Sequence, residues 1–164
     1  MGSAPEFRWA TPLGASVVLF LLIGALWLFV GALSVPLHNR DARTMFATPE
    51  TDTRYFGRDS RELIATDPVV SKYRTLWITV VGGFLLLGGT LVVALAWFGL
   101  RRHEAWALVA LGTGILLAVG LWAVAVAPYF RAGVRLTPGN APPFIWVPAV
   151  LLVPATALGW IGLR

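Results

Sequence analysis

His38, Asp41, Glu50 and Asp52 are the group of side chains in this sequence with the makings of a metal site. Zinc takes histidine nitrogen and carboxylate oxygen in tetrahedral sets. Two carboxylates held close together could also divide the work of general acid and general base. The group is thin for either task, because no second suitable histidine lies on that side of the chain. The stretch from His38 to Thr53, rich in Thr, Asp, Arg and Pro, has no periodicity that would fix their separation and reads as extended or irregular. A solvated loop is the expected outcome. If the loop did serve a hydrophobic substrate, Asp41, Arg43, Tyr55, Asp59 and Arg61 would be its polar groups.

A second set could hold anions. Lys72, Tyr73, Arg74, Tyr129, Arg131 and Arg135 are expected near one membrane interface, and Arg101 and Arg102 at the other. Such cations attract phospholipid headgroups, although flanking cations and an aromatic belt also belong to the ordinary dress of a membrane protein. Other chemistries lack their residues. Cysteine is absent, so disulfides, thiolates and Cys-ligated clusters cannot be built. Phosphate-cradling glycine loops and a Ser-His-Asp arrangement are missing as well. An embedded haem would want His or Met in a span, whereas His is absent from the apolar runs and Met45 falls in a loop. No cofactor is expected, and a quinone or carotenoid, which needs no such ligand, stays compatible with the sequence.

These residues must be positioned by four apolar runs, residues 13–35, 76–100, 106–130 and 143–163, which contain no Asp, Glu, Lys, Arg or His. Each meets the roughly 20 residues that a helix needs to cross a bilayer. The expected fold is all-α: one domain over residues 1–164, four transmembrane helices in an antiparallel bundle, and a hydrophilic, partly helical loop at 36–74. A chain of 164 residues that is 57% hydrophobic leaves little room for a soluble catalytic domain. Its net charge of +5 would suggest nucleic acid in a soluble protein. Here most basic residues flank the spans, so orientation and anionic lipid explain them and no nucleic-acid partner is expected. Ionisable groups inside a membrane mark proton relays and ion paths, and their absence makes a single-chain transporter or channel the weakest reading. The first run exceeds the 7–15 residues or so of a signal-peptide core and reads as a retained anchor.

Small residues recur at packing intervals. Gly24 and Gly31 lie seven apart in the first run, Gly82 and Gly89 in the second, and Ala110, Gly114 and Ala118 form a ladder in the third. Such stripes let helices approach closely. In the loop, Asp59 to Glu62 has capping-box spacing and predicts a short helix to about Ala65. Asp67-Pro68 then predicts the start of the second membrane helix. Arg101 to Glu104 is short enough to force a hairpin between the second and third spans. Pro138-Gly139-Asn140 signals a turn, and Pro148 and Pro154 should each bend the last helix.

The run from Phe98 to Ala107, FGLRRHEAWA, with Asp67-Pro68 opening the second helix, resembles a pattern found in small uncharacterised four-helix bacterial membrane proteins. The resemblance covers the topology and about a third of the chain, and it implies no activity. It does imply that the Arg101-Arg102 turn is cytoplasmic. A count of Lys and Arg over the long loop argues the reverse, but that loop is nearly neutralised by its acidic residues. We take both termini as cytoplasmic in a bacterial cytoplasmic membrane. The expected role is a non-catalytic accessory or assembly subunit of a larger membrane complex, in contact with lipids and with other subunits or copies of itself. The alternative is a binding protein or enzyme for a lipid, isoprenoid or quinone.

Overall fold

The computed structural model describes residues 7–40 and 44–164, and for residues 38–40 the backbone alone. Every regular element among the described residues is helical, and four helices are long and apolar enough to cross a membrane. Helix α1 covers Pro12–Arg40. It opens where the Thr11 hydroxyl accepts the Gly14 N–H at 3.1 Å and Pro12 occupies the first turn. It does not stop at the end of the apolar run. Pro36 lies inside it and the backbone stays helical to Arg40, since an interior proline removes one hydrogen bond without dictating the path of later turns.

Between the first two spans the structure departs from the irregular stretch read over His38 to Thr53. Helix α2, Pro49–Phe56, is capped by Thr48, carries Glu50 and Asp52 in its first turn and ends at Gly57 with φ 68°. Thr48-Pro49-Glu50 is a complete helix-start signal of the same kind as Asp67-Pro68, and the surrounding polar composition hides it. Helix α3, Ser60–Thr66, follows, with Asp59 accepting the Arg61 N–H at 2.8 Å. Asp67 then accepts the N–H groups of Val69 and Val70 at 2.8 and 3.2 Å and opens α4, Pro68–Ala94. Helix α4 runs into a π turn, Leu95–Gly99, and a 3-10 turn, Leu100–Arg102, that closes at His103 with φ 63°. Helices α5, Ala105–Arg131, and α6, Pro143–Gly162, complete the chain.

Helix α1 is the centre. It packs along α4 and α6, α5 packs on α6 and on the π turn, and α4 and α5 meet closely only at that turn. Lipid tails are as apolar as leucine, so these contacts depend on close fit and hydrogen bonds. The α1–α4 seam is built from glycine. A Cβ on Gly31 would lie 2.9 Å from the Gly82 carbonyl oxygen, and one on Gly89 would lie 2.8 Å from that of Gly24. The α1–α6 seam has two cross-helix hydrogen bonds, from Ser16 Oγ to the Ala155 carbonyl at 2.6 Å and from Trp27 Nε1 to the Phe144 carbonyl at 3.0 Å. Phe20, Ile23, Leu111 and Ile115 fill the space among the helices.

Candidate functional site

Because α4 and α5 separate beyond their shared turn, an apolar groove of about 610 Å³ lies between them, floored by Trp27 of α1. It runs from Trp77 on α4 to Leu95 at the start of the π turn, and from Ala110 to Ala125 on α5. At 1.5 Å per residue these walls extend about 27 and about 22 Å, most of the roughly 30 Å hydrocarbon thickness. A volume in the range of about 300–1,000 Å³ is usual for ligand sites. Ala110, Gly114 and Ala118 all line the groove. The ladder on α5 therefore faces this space, and a Cβ added at Gly114 meets nothing within 4 Å. Among the described residues no other helix lies against Gly114, so any helix packed there would come from outside them. A more open depression of about 620 Å³ between α5 and α6 is lined by Gly112, Thr156 and Trp160 among others.

Above the wide end of the groove sits a polar cluster with Asp52 at its centre. Its carboxylate is wholly buried and accepts four hydrogen bonds. Oδ2 takes the N–H groups of Met45 and Phe46 at 2.7 and 3.0 Å, and Oδ1 takes that of Ala47 at 3.1 Å and the Tyr129 hydroxyl at 2.9 Å. A buried carboxylate is tolerated only when its oxygens are satisfied in this way. The α2 turn presents Asp52 to the preceding segment, and α5 brings up Tyr129 from its last turn. The Tyr55 ring stacks on Tyr129 at 4.3 Å, and Phe46 lies 5.9 Å from Tyr129 and 6.1 Å from Trp122. Trp122 also lines the groove. On the facing wall, buried Arg74 of α4 donates Nε–H to the Thr44 carbonyl at 2.5 Å.

Of the residues read as a metal group, the structure describes the side chains of Glu50 and Asp52. Asp41 and the His38 side chain lie outside the described residues, Asp52 is engaged as above, and exposed Glu50 faces Arg61 at 4.0 Å. Among the described residues no three His, Asp or Glu side chains gather. The interfacial set divides. Lys72, Tyr73, Arg131 and Arg135 are exposed, whereas Arg74 and Tyr129 are buried and hold the loop. At the other end Arg102 is exposed, and the Arg101 guanidinium lies over Trp97 at 4.4 Å, Phe7 at 5.5 Å and Trp9 at 5.9 Å.

The part played by Trp27 and Trp122 has no local signal. Pro148 does announce an orphaned carbonyl four residues earlier, but the sequence cannot say which span supplies its donor. Comparison with known protein families, characterised proteins and solved structures finds no match to this chain.

Proposed function

We propose that this protein is a non-catalytic accessory or assembly subunit that works by association in the membrane, its groove between α4 and α5 receiving a transmembrane helix of a partner subunit. The observation that carries this reading is the ladder Ala110, Gly114 and Ala118, open along an apolar groove almost as long as a membrane span. Small residues at four-residue intervals permit close helix approach, and a groove with apolar walls takes an uncharged helix without desolvating polar groups. The charge-free apolar runs agree with a role in packing and not in ion transfer.

We read the four spans as an antiparallel bundle with both termini and the Arg101-Arg102 turn in the cytoplasm of a bacterium. The two adjacent arginines set directly against two spans support this orientation. A second reading, a binding protein for a lipid, isoprenoid or quinone, draws on the indoles of Trp27, Trp77 and Trp122 around the wide end of the groove.

Extraction from the native membrane into nanodiscs, followed by mass spectrometry of proteins and lipids, tests the proposal when wild type is compared with Gly114→Leu. Leucine fills open space at this position. A membrane protein recovered in stoichiometric amount with wild type and lost with Gly114→Leu is the expected result. One enriched apolar lipid lost with the same variant would replace the subunit reading by the second. Identical partners and lipids in both samples would overturn both readings.

A further inference from the structure

Residues 44–47 bridge the two helices that wall the groove, at the loop-side end of each. At one end, Arg74 of α4 holds the Thr44 carbonyl. At the other, the amides of Met45, Phe46 and Ala47 converge on Asp52, which is fastened to Tyr129 of α5. Arg74 is one turn before Trp77 on its helix, and Tyr129 is two turns after Trp122 on the other. The segment therefore lies near the two indoles at the loop-side end of the groove, and the half-buried Phe46 ring reaches in toward Trp122.

We propose that residues 44–47 form a strap that ties α4 to α5 and closes the loop-side end of the groove to water, leaving the groove open only sideways to the bilayer. The inference concerns the route into the groove and does not depend on what fills it. Three features carry it. The strap is held to both helices just past the groove's loop-side end and places Phe46 beside Trp122, the opposite end is closed by the π turn, and an apolar groove open to bulk water would leave its indoles and aliphatic walls hydrated. The latch is polar, buried and saturated. Four donors on one carboxylate leave it little reason to exchange with solvent, and each lost donor raises the population in which the strap has lifted.

Absence of cysteine makes the test direct. Val81→Cys and Ala118→Cys each place one thiol in the groove, a turn below Trp77 and Trp122 respectively. In nanodiscs, an uncharged lipophilic maleimide is expected to label both thiols while a charged, impermeant maleimide leaves them unmodified. Adding Asp52→Asn or Phe46→Ala is expected to raise the charged reagent's rate about tenfold or more, with helicity unchanged by circular dichroism. Tyr129→Phe removes one hydrogen bond and no ring, so it keeps the test decisive if Asp52→Asn fails to fold. Rapid labelling by the charged reagent with the strap intact would overturn the proposal. So would rates that do not respond to Phe46→Ala and Tyr129→Phe.

Discussion

Trp27 of α1 donates its indole N–H to the Phe144 carbonyl of α6, the carbonyl whose helical partner would have been the absent N–H of Pro148. The acceptor that the proline leaves open is thus satisfied from another helix, one of the ways prolines are tolerated within the membrane. The bond also fixes Trp27 as the floor of the groove.

Trp27→Phe is expected to destabilise the protein by about 1 kcal/mol, since it leaves a partly buried carbonyl without its indole donor. Placed on Pro148→Ala, which returns an N–H to the helix, the same substitution should cost less. A thermal-unfolding double-mutant cycle in detergent reads the coupling. Equal costs in both backgrounds would mean that the indole bond contributes nothing to stability.

Glycines of the α1–α4 seam and glycines that face open space are expected to respond oppositely to alanine. Gly31→Ala and Gly89→Ala push a methyl into backbone atoms 2.8–2.9 Å away, and should each cost about 1–3 kcal/mol or part the two helices. Gly83→Ala, Gly114→Ala and Gly120→Ala meet open space and should stay within about 1 kcal/mol of wild type or gain stability. Melting temperatures of the five variants in one detergent suffice to check the division.

Asp52→Asn leaves three N–H donors and a hydroxyl facing an amide that is itself half donor. A loss of about 2–3 kcal/mol is expected. The sharper readout is hydrogen exchange: the amides of Met45, Phe46 and Ala47, slow in wild type, should exchange much faster in Asp52→Asn and moderately faster in Tyr129→Phe. Unaltered protection of these three amides would show that other contacts hold the segment.

Arg101→Ala removes the cation lying over Phe7, Trp9 and Trp97. A cost of about 0.5–1 kcal/mol is expected at so accessible a site. Tryptophan emission should shift as Trp9 and Trp97 separate from their 6.2 Å approach. Arg101→Lys, which keeps the charge and loses the planar stack, should lie between Ala and wild type in both measurements.

The four spans were legible because a helix in lipid must show a long, uncharged, apolar face all around, and that demand writes itself into every residue from Leu76 to Leu100. Asp67-Pro68 was legible because a helix start is settled among adjacent residues. Thr48-Pro49 carried the same signal but stood in a polar stretch without an apolar period to draw attention to it. Asp52 and Tyr129 are 77 residues apart, and nothing near either one names the other. The sequence thereby determined the solvent this protein lives in, the length of its helices and their local starts. Tertiary structure alone decided that the glycines of α1 meet those of α4, that the ladder on α5 faces a groove, and that a loop carboxylate fastens onto α5. Apolar side chains gain as much from lipid as from one another, so the choice among helix partners falls to shape and to a few hydrogen bonds between distant residues.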